Sequence, residues 1–317
     1  MIHALQDSQR LCYSSRSAVS AIIQCVPNFS EGRNQSVIQA IVDAVRTVKS
    51  VTLADYSSDP DHNRLVVTFL GGPEGVREAV LAATTRAVEL IDMQKHTGGH
   101  PRIGAADVIP LVPIRGITMA ECVSISHEIG QEIAETLGVP VYFYEKSAIK
   151  AHHTNLADVR RGGYERLAEV GLEGERAPDV GPKRLHPSAG AVVVGARGPL
   201  VAYNVNLQSD DMEIAADIAR KVRNDNAHLP GVKAISVWLE SRSKAQVSMN
   251  VTRPDLVALP RIFDFIVEEA RKYDVEADES ELIGLVSQKY LDGAYPTDLR
   301  LRDFKPTQIL EYWLSRM

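Results

Sequence analysis

Residues 51–112 read VTLADYSSDPDHNRLVVTFLGGPEGVREAVLAATTRAVELIDMQKHTGGHPRIGAADVIPLV, and this stretch decides the fold. Two runs rich in β-branched residues, 51–55 and 65–70, predict strands. The Ser, Asp, Pro and Asn residues of 57–63 predict a turn between those strands. Apolar residues at helical spacing over 73–93 then predict a long helix. The stretch therefore begins as strand, turn, strand and helix.

The stretch closes with a further strand, which the apolar residues of 106–112 predict. Upstream, residues 22–26 read as a short buried strand, and 34–49 carries apolar residues at helical spacing. The resulting order is β-α-β-β-α-β, the split βαβ arrangement of ferredoxin-like domains. A helix over 118–137 and a strand over 139–144 extend this first unit.

The second half of the chain repeats the same logic of alternating strands and amphipathic helices. Strands are predicted at 191–195, 201–206, 232–239 and 245–251, and helices are predicted to end near 222 and to span 260–272. Ser209 precedes a run rich in acids, so we expect it to cap the first of these helices.

We therefore expect an α+β fold of two ferredoxin-like subdomains, with mixed or antiparallel sheets and helices packed on them. A boundary near Gly198 divides the chain into three parts. These are a flexible N-terminal tail (1–21), an N-terminal subdomain (22–197) and a C-terminal subdomain (198–317).

Length, charge and cysteine content limit the function classes. A chain of 317 residues is long for one core, which agrees with two units. The net charge of −6 argues against a general nucleic-acid-binding surface, because phosphate backbones attract clustered cations. No apolar run approaches the roughly 20 residues that span a bilayer. Three Cys without CxxC spacing give no disulfide framework, so we expect a cytoplasmic protein without membrane or nucleic-acid partners.

The polar segment 92–104, called the His100 loop below, is the candidate active site. It concentrates two His, two Lys or Arg side chains, one Asp and three Gly. Gly98 and Gly99 cannot comfortably continue a helix, and Pro101 biases His100 away from α-helical geometry. We expect His100 on an extended loop, where an imidazole that titrates near neutral pH can reach a substrate.

Four separated blocks resemble the formiminotransferase family. They are CVPNFSEGRN (25–34), DYSSDPDHNR (55–64), RAVELIDMQKHTGGHPRIGAADVIPLVPIRGITMAECV (86–123) and APDVGPKRLHPSAGAVVVGARG (177–198). The resemblance runs from about Ile22 to the C-terminus, and the blocks lie in the family's order and spacing. Four blocks in register are a specific signal, whereas any one alone is not.

The resemblance implies transfer of the formimidoyl group from N-formimidoyl-L-glutamate to N5 of tetrahydrofolate, which gives 5-formimidoyltetrahydrofolate and glutamate. It implies that His100 is the catalytic proton shuttle, that tetrahydrofolate is a co-substrate and that no metal takes part. It also implies a homodimer that works in histidine degradation and one-carbon metabolism. Because the chain ends at Met317, we expect no cyclodeaminase activity of the kind that bifunctional family members carry.

The resemblance further implies a folate-binding segment, called the 181–190 loop below. It comprises Gly181, Pro182, Lys183, Arg184, Leu185, His186, Pro187, Ser188, Ala189 and Gly190. Arg64 and Arg102 are candidates to bind the glutamate carboxylates, because a guanidinium pairs with a carboxylate in bidentate fashion.

A carboxylate in contact with His100 would raise its basicity and fix its tautomer. The candidates for this support are Asp55, Asp59 and Asp61, with Asn63 and His96 as further candidate supporting residues. The equally plain reading of the three acids is a solvated turn. The chain departs from the family at Gly99, where the family usually has Glu, and this puts efficiency or substrate identity in question.

Three alternatives stay open. Asp92, His96 and His100 have the spacing of a metal-dependent hydrolase, although Gly98 and Gly99 break the helix that such a zinc site needs. The family also admits formyl transfer between 5-formyltetrahydrofolate and glutamate, which differs by O for NH on the migrating carbon. The third alternative is a non-catalytic folate-binding protein.

Overall fold

The computed structural model describes residues 20–223 and 228–317. The first sheet has seven strands in the spatial order β3-β4-(β1, β2)-β5-β7-β6. The strands are β1 (Ile22–Cys25), β2 (Asn28–Phe29), β3 (Val51–Asp59), β4 (Arg64–Gly71), β5 (Ala106–Arg115), β6 (Val141–Phe143) and β7 (Val192–Ala196). β5, β6 and β7 run parallel, and the remaining pairs are antiparallel.

Three helices cover one face of this sheet and enclose the main core. They are α1 (Gln35–Thr47), α2 (Pro73–Leu90) and α3 (Met119–Leu137). Asn34 caps α1 by accepting from the backbone of Ser36 and Val37, and the apolar stripe of α1 is fully buried. Thr118 and Glu121 form a capping box at the start of α3. Local capping and apolar periodicity thus agree with the packing.

Helices also pack on the opposite face of the first sheet, at its two ends. At one end, α4 (Leu156–Val159) and α5 (Gly163–Val170) pack over Val108 and Tyr142. At the other end, the C-terminal helix α8 (Leu310–Leu314) packs over Ile22, Leu70 and Leu285. Between them lies a polar region that holds the candidate site.

The second sheet is antiparallel with the strand order β11-β8-β10-β9. Its elements follow one another as β8 (Val201–Leu207), α6 (Met212–Val222), β9 (Val232–Leu239), β10 (Lys244–Val251), α7 (Leu259–Arg271) and β11 (Ala277–Ile283). This is again β-α-β-β-α-β. The α+β fold with two ferredoxin-like subdomains is confirmed. Among the described residues, no helix is both long enough and apolar enough to cross a bilayer.

The two units meet at the site. The helices of the second unit cover one face of its sheet, and the other face carries Asn206 and Gln246, which are buried. From the first unit, the Asp61 carboxylate accepts hydrogen bonds from the Ser241 hydroxyl at 2.7 Å and from its backbone N–H at 3.3 Å. His62 lies against Gln246. The polar face of the second sheet therefore closes one side of the candidate site.

Several predicted boundaries were wrong for identifiable reasons. β3 continues through part of the predicted turn 57–63, because Ser57 and Ser58 pair with β4. The helix predicted over 73–93 ends at Leu90, and the Met93 N–H donates instead to the Ser188 carbonyl at 2.7 Å. Ser209 does not cap α6, since the Asp211 carboxylate accepts from the first turn.

Other differences concern sheet membership. The strand predicted at 191–195 was described together with those of the second half, although the boundary near Gly198 places it in the N-terminal subdomain; β7 pairs with β5 and β6 in the first sheet. The predicted strand 22–26 ends at Cys25, and β2 resumes the pairing with β4 and β5 at Asn28, directly after Pro27. The elements β2, β11, α4, α5 and α8 were not predicted. The predicted flexible tail lies almost wholly outside the described residues, so it stays a prediction.

Candidate active site

Asn63 holds together the loops that build the site. Its side-chain oxygen accepts from the Gly32 N–H at 2.8 Å, and its amide nitrogen donates to the Thr97 carbonyl at 2.8 Å. Its φ of 49° lies in the left-handed region, which Asn tolerates better than most residues. Asn63 thus fixes the His100 loop against the loop that carries Gly32 and against the start of β4.

The His100 loop keeps its shape through contacts other than those of His100. The ring of His96 places Nε2 at 3.1 Å from the Asn63 carbonyl, and its Nδ1 accepts from Arg102 Nε at 3.0 Å. Gly98 lies so close to the 59–64 segment that a Cβ there would stand 2.6 Å from the His62 carbonyl oxygen. This backbone approach explains why the loop needs Gly at position 98.

His100 opens onto a small polar cavity with room for about one water molecule. The cavity is also lined by Ser30, Asn63, Arg64, Arg102 and Asp107. A wider groove of about 260 Å³ adjoins it, and the two share Ser30 and Asn63. A small reactive cavity that adjoins a larger groove suits a group-transfer reaction, because the groove accommodates the parts of a substrate that do not react.

The charged groups that shift the pKa of His100 are basic side chains. Burial lowers the pKa of His100 well below its usual range, and Arg64, Arg160 and His62 lower it further. The expected support by an acid in contact with His100 is not seen, since no carboxylate of the described residues contributes to its pKa. The ring is therefore neutral near pH 7, the form that can accept a proton.

Arg64 is the cation without a close counter-charge. Burial lowers the pKa of Arg64 to about 10, and Arg160 adds to this effect. Within the described parts of the chain Arg64 makes no ion pair, and Asp59 and Asp107 act on it only from a distance. Asp107 instead pairs with Arg160 and accepts from the Ile103 N–H at 2.9 Å. An anionic ligand in the cavity would satisfy Arg64.

Arg102, the second residue predicted to bind a substrate carboxylate, is already paired with the carboxylate of Glu165. It donates to both oxygens of Glu165, at 3.0 and 2.6 Å, and also to the His96 carbonyl. The hydrogen bonds from Arg102 lower the pKa of Glu165. Arg102 thus anchors α5 to the His100 loop, whereas Arg64 is open towards the cavity.

The three candidate acids have different neighbours. Asp59 accepts from the His62 N–H at 2.8 Å, and Asp61 binds Ser241 of the second unit. Asp55 is not brought to the cavity: burial raises its pKa, and Lys305 is the cation that acts on it. Of the three acids, Asp59 and Asp61 therefore act on the site indirectly, because their charges act on His62.

The 181–190 loop flanks the His100 loop at both of its ends. The Ser188 carbonyl accepts from Met93, and the Ala189 carbonyl accepts from the Ala105 N–H at 2.8 Å. The Gln94 amide donates to the Pro187 carbonyl at 2.7 Å. Within the loop, His186 Nδ1 accepts from two backbone N–H groups, and partial burial lowers its pKa. Lys183 and Arg184 are exposed.

Three residues at the site were not selected from the sequence. They are His62, Asp107 and Arg160. His62 stands in the quoted block DYSSDPDHNR, and Asp107 interrupts an apolar strand, which is a usable signal because a buried acid needs a partner. Arg160 carried no signal, since α4 was itself not predicted.

The metal alternative finds no support in the geometry. Asp92 pairs with Lys95 at 3.0 Å and accepts from the Gln94 N–H, and both ring nitrogens of His96 have other partners. In the described part of the chain, no group of three or more His, Cys, Asp or Glu side chains is arranged to hold a metal ion.

Adjacent glycines of the His100 loop should respond oppositely to substitution. A Cβ at Gly99 meets only the Asp61 carbonyl at 3.8 Å, whereas one at Gly98 meets backbone at 2.6 Å. We expect Gly99→Glu to preserve or raise turnover and Gly98→Ala to lower it by displacing the loop. Turnover of both variants, with Gly99→Ala as the size control, checks this. A collapse in Gly99→Glu alone would mean that the site has adapted to another ligand.

Comparison with known proteins gives a consistent picture. The profile of the formiminotransferase domain, N-terminal subdomain, matches residues 22–197, and that of the formiminotransferase domain matches residues 202–295. A glutamate formimidoyltransferase from Streptococcus pyogenes serotype M1 is 46% identical over 294 residues, 92% of this chain and 98% of that protein. One from Thermoplasma acidophilum is 39% identical over 92% of this chain and 96% of that protein.

Bifunctional relatives are similar as well. The formimidoyltransferase-cyclodeaminase of Sus scrofa is 44% identical over 86% of this chain, and the match covers 51% of that longer protein. The similarity therefore extends through both sheets and over the His100 loop in relatives of either architecture.

Proposed function

The chain belongs to the formiminotransferase family, and from that premise we propose that His100 is the proton shuttle of its reaction. The reaction moves the formimidoyl group from N-formimidoyl-L-glutamate to N5 of tetrahydrofolate. One observation supports the assignment of residues: a neutral His100 and Arg64, which makes no ion pair among the described residues, line the same polar cavity.

The chemistry requires one proton to leave and one to arrive. N5 of the folate attacks the amidine carbon, a C–N bond forms, and neutral His100 accepts the proton that N5 loses. The bond from that carbon to the glutamate nitrogen then breaks, and protonated His100 returns the proton to this nitrogen. General acid–base catalysis of this kind contributes roughly 10²–10⁴-fold in rate. The lowered pKa of His100 keeps the accepting form populated and makes the protonated form a strong donor.

Arg64 supplies the anchor for the donor. The donor carries two carboxylates, and Arg64 is the cavity cation that no acid of the described residues neutralises. A bidentate guanidinium–carboxylate pair fixes orientation, and correct orientation of two substrates accounts for a large part of the rate.

Arg64→Lys should raise the KM for the formimidoyl donor by about 10- to 100-fold, because hydrogen bonds to charged groups contribute roughly 1.5–3 kcal/mol. The KM for folate should change little. Steady-state kinetics with each substrate varied in turn measure both values. Arg86→Lys, an exposed arginine paired with Glu89, is the matched control. Equal increases in both KM values would mean that Arg64 does not select the donor.

Activity should persist on the acid side of pH 6.5. The working base is neutral His100, whose pKa lies below the ordinary value of about 6.5. As pH falls, kcat/KM should therefore stay level through about 6.5 and decline only below it, where the free ring becomes protonated. The profile of kcat/KM from about pH 5 to 8, with recovery checked at neutral pH, tests this. An acid limb at or above 6.5 would contradict the assignment.

The identity of the donor is tested by comparing turnover of a formimidoyl donor with turnover of a formyl donor. The purified protein is incubated with tetrahydrofolate and either N-formimidoylglutamate or N-formylglutamate, and the 5-substituted folate is measured. We expect turnover of the formimidoyl donor and a far lower rate with the formyl donor. The reverse preference would assign formyl transfer, and folate binding without any turnover would indicate a binding protein.

The 181–190 loop is the proposed folate-binding segment. In support, Lys183 and Arg184 are exposed and have no acidic partner among residues 20–223 and 228–317, so both are open to an acidic folate tail. We further propose a cytoplasmic homodimer that acts in histidine degradation without a metal or nucleic-acid partner. The resemblance to the family supports the dimer and the pathway, and the net charge of −6 supports the absence of nucleic acid.

A further inference from the structure

A second imidazole, that of His62, faces His100. The two ring centroids are 6.2 Å apart and the ring planes are tilted by 41°. His62 is only 4% exposed, and its backbone N–H is fixed by the Asp59 carboxylate at 2.8 Å. A centroid separation of 6.2 Å is short enough for one water molecule to bridge the two rings. The mechanism through His100 alone makes no use of this buried ring.

Two polar atoms beside His62 are buried without a partner of ordinary hydrogen-bond geometry. They are Nδ1 of His62 and the side-chain oxygen of Gln246 from the second sheet. The Gln246 amide nitrogen donates to the Asn206 side chain at 2.8 Å, so its oxygen is an acceptor. Gln246 lies close enough to raise the pKa of His62. An N–H on Nδ1 of His62 would satisfy both buried atoms at once.

The charges around the two rings differ in sign. The cations Arg64 and Arg160 lower the pKa of His100, and His62 lowers it further. His62 faces Asp59 and Asp61, which favour a positive charge, besides Arg64, which opposes one. Burial is the largest effect on each ring and lowers both pKa values. The surrounding charges therefore stabilise a proton on His62 better than a proton on His100.

We propose that His62 completes a two-histidine proton relay with His100, and that Gln246 accepts the N–H of the proton-bearing His62 ring. When N5 of the folate loses its proton to one nitrogen of His100, the opposite nitrogen of His100 passes a proton to His62. When the glutamate nitrogen departs, His62 returns a proton to His100, which donates one to the leaving group. One proton is taken and one is returned, so both rings end neutral. The relay rests on the proposed function and adds a second proton carrier that acts through His100.

Paired amide substitutions separate a relay from a structural role. Asn places an amide near the position of Nδ1 and Gln places one near Nε2, but neither amide accepts and releases a proton near pH 7. In both His62→Asn and His62→Gln, kcat should fall by roughly 100-fold, towards the low end of what proton transfer contributes. Both KM values should stay unchanged, and the solvent deuterium isotope effect on kcat should increase. His152→Gln, an exposed histidine whose ring reaches the Glu175 carbonyl, is the matched control.

Full kcat in either amide variant would overturn the relay and leave His62 a structural role. If the His62 variants unfold, Gln246→Leu decides, because it removes the acceptor and keeps the volume. It should lower kcat with unchanged KM, and normal kcat in a folded Gln246→Leu protein would overturn the proposal. A wild-type protein without turnover would instead refute the proposed function, so the two failures are distinguishable.

Discussion

His100→Ala should lower kcat by roughly 10²–10⁴-fold while the affinity for folate stays largely intact. The loss follows from removing the group that both accepts and returns the proton. Binding should survive because His96, Gly98 and Arg102 hold the loop, and the His100 ring does not. Steady-state kinetics give kcat, and isothermal titration gives the folate affinity of the same preparation.

Arg86→Ala is the control for His100→Ala. Arg86 lies on α2 outside the cavity and the groove, is exposed and pairs with Glu89, so its loss should leave turnover almost unchanged. Unchanged turnover in His100→Ala would remove His100 from the mechanism. A parallel loss of folate affinity would mean that the ring shapes the site and does not move the proton.

Asp107→Ala should destabilise the protein by about 3–5 kcal/mol, the usual effect of removing one partner of a buried ion pair. Asp107 is 2% exposed and pairs with Arg160, whose side chain is also mostly buried. Its loss leaves Arg160 and Arg64 facing each other and takes the acceptor from the Ile103 N–H. The midpoint and slope of urea denaturation measure the change.

Two variants calibrate the result for Asp107. Asp158→Ala breaks an exposed pair with Arg161 and should cost no more than about 1 kcal/mol. Asp107→Asn keeps an acceptor for Ile103 but loses the charge, so its stability should lie between Asp107→Ala and the wild type. A loss in Asp107→Ala as small as that in Asp158→Ala would show that the cluster is not held by this carboxylate.

Periodicity and capping predicted the elements whose stability is local. The buried stripe of α1 and the alternation over β9 were visible because each element buries one face. Short elements were missed because their stability is not local. β2 has two residues and α4 has four, and both depend on contacts with distant segments. Sheet membership of β7 was also non-local, since nothing in its apolar run distinguishes one sheet from the other.

The candidate site was predicted where its chemistry is local to one loop. His100, His96 and Arg102 share a segment, and Gly and Pro signals place that segment outside the helix. Its electrostatics were not predictable, because Arg160 reaches the site from the end of α4, 60 positions beyond His100 in the chain. The acids of the 55–61 segment were candidates to support His100. Instead, Lys305 acts on Asp55, Asp59 accepts from the His62 N–H and Asp61 accepts from the Ser241 hydroxyl.

The most direct test of the account is one assay on the wild-type protein. The protein is given N-formimidoylglutamate and tetrahydrofolate, and 5-formimidoyltetrahydrofolate and free glutamate are quantified in the same samples. The account predicts sustained turnover with the two products formed in equal amounts. Glutamate release without formimidoyl-folate would mean hydrolysis, and saturable folate binding without either product would contradict the transfer reaction itself.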